Sequence, residues 1–253
     1  MTVASRIPHH PLLVGLVDRV WCAGPEPAAP VNMEWVLPTC RAQLILTPGA
    51  SVFAGPKVVA ESIERRTGEP MVGVSLTAGA VPVLLGIGGH EALGVTVALD
   101  AVWSVGSLPD RLAEEAGDGV FDRIEAELVK QLRPTLVDPL VVAAERAIRD
   151  GRSAAQAIAL IGTDRRALVP KFRRVVGVAP KHYERVCRFN RAIEAIRQSD
   201  AAPLAWIAGE QGFADQAHLS REVRHFAGTS PSHLHRDGSV MVNHVTSDKI
   251  FKT

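Results

Sequence analysis

Between residues 12 and 106 apolar positions come in short runs separated by Gly, Pro and charge. Runs at 12–20, 42–46, 71–76 and 95–99 are five to nine residues long and rich in Val and Leu. That length and β-branched content predict strands, and the turn formers between them predict a small β-rich, barrel-like or sandwich-like unit. One helix is expected at 80–85. From Leu108 the spacing changes. Pro109-Asp110 opens a helical segment to about 132, with Leu112, Phe121, Ile124, Leu128 and Leu132 among its apolar positions. Gly117 and Gly119 are expected to split it in two. Arg133-Pro134 and Asp138-Pro139 then mark a boundary, because the residue before a proline is pushed out of helical conformation.

The pattern over 153–236 occurs twice at an offset of 51 residues. Leu168, Phe172, Gly177 and Pro180 map onto Leu219, Val223, Gly228 and Pro231; Arg173 maps onto Arg224 and Val175 onto Phe226. Each copy reads as helix, tight turn, helix. In the second copy Leu204, Ile207 and Ala208 form an apolar stripe behind Pro203, Gly212 is suited to the left-handed turn, and Asp215 is an N-cap. Leu219, Val223 and Phe226 then form a buried face, opposite Gln216, Ala217, Ser220, Arg221 and Arg224. A small, polar and basic outer face suits a helix that lies in a major groove and reads base edges. The first copy runs from a lead helix at 154–161 through Gly162 to the N-cap Asp164. Its second helix is expected to bury Leu168, Phe172 and Val175 and to present Arg165, Arg166, Val169, Arg173 and Arg174. A linker helix over 181–198 carries Val186, Phe189, Ile193 and Ile196 on one face and Lys181, Arg185 and Arg188 on another. Those three cations read as phosphate contacts.

Charge supports this division. The chain has a net charge of only +1, yet residues 1–138 carry 10 basic and 16 acidic side chains while 139–253 carry 18 and 11. The basic half is the one expected to face a polyanion. Apolar stretches are too short for a membrane span, and the N-terminus lacks an apolar core of secretory length, so a cytoplasmic protein with no membrane partner is expected. Cys22, Cys40 and Cys187 are scattered without metal or disulfide spacing and read as reduced, mostly buried thiols.

Enzyme chemistry finds little to stand on. A metal-binding cupin needs clustered ligands, whereas His9, His10, His90 and Glu91 form no such set. Neither Cys22 nor Cys40 has the setting of a reactive repair thiol. Gly86-Ile87-Gly88-Gly89-His90 lacks the lysine and strand-to-helix context of a phosphate loop and reads as a turn. Trp21, Trp35 and Trp103 are expected in core packing, and Trp206, in the helical part, in packing or facing the DNA backbone. No catalytic residue, metal or cofactor is therefore expected.

The sequence resembles the AraC/XylS family of bacterial regulators, on G-V-A-P-K-H-Y-x-R at 177–185, I-A-x-x-x-G-F-A-D-Q-A-H-L-S-R-E at 207–222 and G-T-S-P at 228–231. The resemblance implies a helical domain whose two helix-turn-helix units enter adjacent major grooves, about one DNA turn apart. By position it places base reading on Gln216, Ala217, Ser220 and Arg221, and on Arg166, Val169 and Pro170 in the first unit. Pro170 stands where the second unit has Arg221, a departure from the family pattern that removes a backbone donor mid-helix. Residues 8–115 resemble more weakly the N-terminal part of one branch of the same family, through Trp21, V-L-P at 36–38, Q-L-I-L at 43–46, Gly55-Pro56, 72–80 and 99–103. That implies a sensor or dimerisation domain.

The resulting expectation is an α+β protein: a β-rich, barrel-like N-terminal domain with trailing helices at 1–134, an all-α domain with two helix-turn-helix units at 139–237, and a tail at 238–253. It is expected to bind double-stranded promoter DNA and regulate transcription under a small-molecule effector, with a second copy of the chain and RNA polymerase as further partners. Backbone contacts are assigned to Arg173, Arg174, Lys181, Arg185, Arg188 and Arg224. The competing reading is a ligand-binding or interaction protein with a degenerate DNA-binding domain, which only Pro170 favours.

Overall fold

The runs at 42–46 and 71–76 form the middle of an antiparallel sheet in the computed structural model, which describes residues 3–24, 32–65, 69–115, 117–134, 137–198, 202–236 and 240–241. The strands are β1 (Val3–Arg6), β2 (Val17–Ala23), β3 (Asn32–Val36), β4 (Gln43–Leu46), β5 (Val52–Ala54), β6 (Glu61–Arg65), β7 (Met71–Leu76), β8 (Thr96–Ala98) and β9 (Val240–Met241). Six of them make one sheet in the order β1-β2-β7-β4-β5-β8, and β6-β3-β9 make a second. Val20 of β2, Leu44 of β4 and Val74 of β7 are fully buried in register across the first sheet. Trp21 lies opposite Gly73, and a Cβ on that glycine would fall 2.0 Å from the indole. Only a residue without a side chain admits the ring there.

Helices α1 (Ala80–Leu85), α2 (Gly89–Ala92), α3 (Leu108–Glu114) and α4 (Gly119–Gln131) complete this half. Leu112, Phe121, Ile124 and Leu128 turn inward onto the sheet and share its core with Leu13, Leu84 and Trp103. Arg6 ties β1 to α4 through Asp122 at 2.6 Å and Glu125 at 2.7 Å. The 12–20 run is not one strand. His10 caps a 3-10 turn at Pro11–Leu13, Gly15 takes φ +84°, and the strand begins only at Val17.

The rest is helical: α5 (Pro139–Arg149), α6 (Ala154–Ile161), α7 (Arg165–Val176), α8 (Pro180–Gln198), α9 (Leu204–Glu210), α10 (Gln216–Ala227) and α11 (Pro231–Arg236). Val186, Phe189, Ile193 and Ile196 line the buried face of α8, which runs through the middle of the second core. That core also takes in Leu37, Cys40 and Ala78 from the N-terminal half, and Asn190 on α8 donates to the Pro38 carbonyl at 2.9 Å. The two halves are thus packed together. Apart from β9, which pairs in parallel with β3, the tail expected at 238–253 lies outside the described residues. Trp21 and Trp103 are core, Trp35 departs from the expected core packing at 43% exposed, and Trp206 is 58% exposed. Trp206 stands on the side of α9 opposite Ile207 and Ala208, which occupy its inward face. No helix among the described residues is long and apolar enough to cross a membrane.

Candidate nucleic-acid interface

Four local devices build the two helix-turn-helix units. Ser153 and Gln156 cap α6 reciprocally, at 3.2 and 2.9 Å. Gly162 ends α6 in the left-handed conformation at φ +69°. Asp164 accepts from the Arg166 N–H at 2.8 Å to start α7, and Asp215 accepts from the His218 N–H at 2.6 Å to start α10. Such caps satisfy N–H groups that the first turn leaves unpaired. They also fix where each second helix begins, and so which residues face outward.

Leu168 and Phe172 on α7, and Leu219, Val223 and Phe226 on α10, are buried as the repeat predicts. Val175 is the exception. It is half-buried, and Val176 takes the core position instead. Outward on α10 lie exposed Gln216, Ala217, Arg221 and Arg224, with Ser220 half-buried. Outward on α7 lie exposed Arg165, Arg166, Arg173 and Arg174, with Val169 half-buried and Pro170 exposed. Among the described residues, none of the guanidinium groups of Arg165, Arg166, Arg173, Arg174, Arg221 and Arg224 makes an ion pair. In the N-terminal half, by contrast, Arg6, Arg41, Arg111 and Arg123 each hold a carboxylate. Unpaired surface cations cluster on the helices expected to meet a polyanion.

The cations of α8 behave differently from their expected role as phosphate contacts. Arg185 is half-buried and grips Glu222 on α10 in a two-pronged ion pair, at 3.0 and 2.8 Å, and lies over the Phe226 ring at 5.2 Å. Arg188 donates to the Gly212 carbonyl at 3.2 Å and stacks on Phe213 at 4.8 Å. Both guanidinium groups are spent on fixing the second unit to α8. Lys181 pairs with Glu184 at 2.7 Å but stays 64% exposed, and so keeps its face to solvent. Glu222 was not singled out in the sequence. Its position between Leu219 and Val223, on the edge of an apolar face, was the available sign: a carboxylate there needs a cation from a neighbouring helix.

Burial pushes the Glu222 carboxyl up, but the Arg185 hydrogen bonds and the charges of Arg185, Arg188 and His218 outweigh it and hold the group below the ordinary carboxylate range. A carboxylate depressed in the folded state stabilises above its unfolded pKa of about 4.3, and that contribution is lost as pH falls through the lower folded value. With Arg185 partly open to solvent the pair contributes about 1 kcal/mol after screening. Urea midpoints between about pH 3 and pH 6 are therefore expected to fall more steeply toward acid in the native protein than in Glu222→Gln. Equal slopes would mean that the pair adds nothing.

Burial also raises the Cys187 thiol to about 11 and the Cys40 thiol well above its usual value, which suits packing rather than nucleophilic chemistry. Among the described residues no group of three or more His, Cys, Asp or Glu could hold a metal ion.

Residues 158–237 match the family model described as a helix-turn-helix domain. No match was found among curated proteins. Among solved structures the chain is similar to ToxT from Vibrio cholerae, with 10% identity over 93% of this chain and 98% of that one and a TM-score of 0.48. It is also similar to the C-terminal domain of AraT, a response regulator from Geobacillus stearothermophilus, with 18% identity over 45% of this chain and 96% of that one and a TM-score of 0.38. The matched segment runs from within α6 through α11 and takes in the caps Asp164 and Asp215 and the outward arginines of α7 and α10, and these residues therefore carry a helix-turn-helix domain.

Proposed function

We propose that the protein is a sequence-specific regulator of transcription that binds double-stranded promoter DNA through residues 139–237 and answers to a small-molecule effector through residues 1–134, with 238–253 as a tail. The observation that carries this reading is the set of unpaired arginines on the outer faces of α7 and α10, two helices set up by the same caps at a 51-residue offset. In this reading Gln216, Ala217, Ser220 and Arg221 read bases from α10, and Arg166 and Val169 from α7. Arg173, Arg174, Arg224 and Lys181 hold phosphates, while Arg185 and Arg188 keep α10 in place. The competing interaction-protein reading would leave these arginines without a use.

An effector has room in the N-terminal half. A cavity of about 370 Å³ lies where β2 and β7 meet α3 and α4, with Cys22, Val72, Leu112, Val120 and Phe121 in its lining. That volume and apolar lining are in the range of small-molecule sites.

The test is selection of bound fragments from sheared bacterial genomic DNA by the purified full-length protein, followed by sequencing. A shared motif in the enriched fragments supports the regulator, and no enrichment at low salt by folded protein counts against it. On a selected site, Arg221→Ala is expected to weaken binding by about 1–3 kcal/mol and to relax one base position. Weaker binding with unchanged base preference would move Arg221 to the phosphate contacts.

A further inference from the structure

The N-terminal half touches both recognition helices at the same place in the repeat. At the end of α10 the Phe226 carbonyl accepts from the Ala60 N–H at 2.7 Å. At the end of α7 the equivalent residue, Val175, lies with Gly177 against Gly89 at the start of α2. The contact there is backbone on backbone: a Cβ on Gly89 would stand 2.0 Å from the Val175 carbonyl oxygen and 2.9 Å from the Gly177 nitrogen. His90 Nδ1 adds a hydrogen-bond contact with the Arg174 carbonyl at 3.3 Å.

The two contacts differ in what they cover. The cleft beside the end of α10 is lined by Trp35, Leu37, Gly228 and Leu234 among others and takes in none of the outward residues of that helix. The cleft beside α7 is larger, about 980 Å³, and Val169, Pro170, Arg173 and Arg174 form one wall of it. The other wall is Ile87, Gly88, His90 and Glu91. A helix with side chains is about 10–12 Å across and fills a major groove about 12 Å wide, so sugar-phosphate strands must run along both its flanks. On α7 one flank is taken by the loop between α1 and α2.

We propose that this loop and the first turn of α2 hold the first helix-turn-helix unit out of the DNA groove, so that the second unit binds first and the first follows only when Gly89 and His90 release α7. The proposal rests on the DNA-binding reading above. Release is feasible because the contact between α2 and α7 is mainly glycine backbone and one ring nitrogen, with the partly buried Leu93 at the end of α2 as the apolar side chain that packs toward the helical core. The glycine is what allows the closed arrangement. Any side chain at position 89 pushes the two helices apart.

The test compares the full-length protein with Gly89→Val on duplexes carrying one or two half-sites of a selected motif, alongside hydrogen exchange of residues 86–93. Native protein is expected to bind the two duplexes with the same affinity. Gly89→Val is expected to gain about tenfold on the two-half-site duplex alone, the equivalent of one specific base contact. Gly89→Ala and His90→Ala, milder disturbances of the same contact, are expected to show smaller gains in the same direction. The proposal is overturned if native protein already shows the full gain, or if the variants show none while exchange reports residues 86–93 released. Binding to one half-site reports separately on the DNA-binding reading: its loss in the native protein would overturn that reading and this proposal together.

Discussion

Phe226→Ala is expected to destabilise the helical half by about 3–5 kcal/mol, the range for removing a large aromatic side chain from a packed core. Phe226 is completely buried. Its ring meets Phe189 at 5.2 Å, His182 at 6.0 Å and His225 at 4.7 Å, and it carries the Arg185 guanidinium on its face. Truncation opens a cavity between α8 and α10 and takes the platform from under the Arg185–Glu222 pair. It also loosens the helix end whose carbonyl receives the Ala60 N–H. Urea unfolding checks the value, with a lowered midpoint and an unchanged slope as the sign of a stability change. The repeat supplies a control. Val175 holds the same place in the first unit but is half-buried, so Val175→Ala is expected to cost under about 1 kcal/mol. Equal costs would mean that the two units are packed alike.

That pair of positions also shows where sequence reasoning succeeded and where it stopped. The offset of 51 residues aligned Val175 with Phe226 correctly along the chain. It could not tell that α7 turns Val176 inward and leaves Val175 half-buried beside Gly89, because that contact joins residues far apart in the chain. The caps Asp164 and Asp215 and the left-handed Gly162 were legible, since each is a local rule about backbone groups at a helix end. So were the helix at Ala80–Leu85 and the two central strands, whose apolar runs are bounded by turn formers. Among the strands missed are β1 and β6. Both carry charged or polar residues and lie at sheet edges, so their strand character comes from pairing rather than from an apolar pattern. The stripe of Lys181, Arg185 and Arg188 was legible as a charged face, but its partners were not. Glu222 and Gly212 reach it only through the packing of the second unit on α8.

Pro170→Ala is expected to stabilise the protein by about 1–3 kcal/mol. Helix α7 runs unbroken from Arg165 to Val176 with Pro170 inside it. A proline at that place offers no N–H to the Arg166 carbonyl and presses its ring toward the same carbonyl. Alanine restores the bond and removes the crowding, and the side chain is exposed, so little packing is lost in exchange. For a protein of this size each kcal/mol raises Tm by about 2–4 °C, a shift that calorimetry reads directly. Binding to a single half-site is expected to be unchanged, because Pro170 belongs to the first unit and Arg221 performs the equivalent office in the second. A Tm that stays level or falls would show that the ring earns its place by packing in the cleft against Pro82 and Ile87. The interrupted hydrogen bond would then belong to the contact that keeps α7 against the N-terminal half, rather than being a defect of the helix.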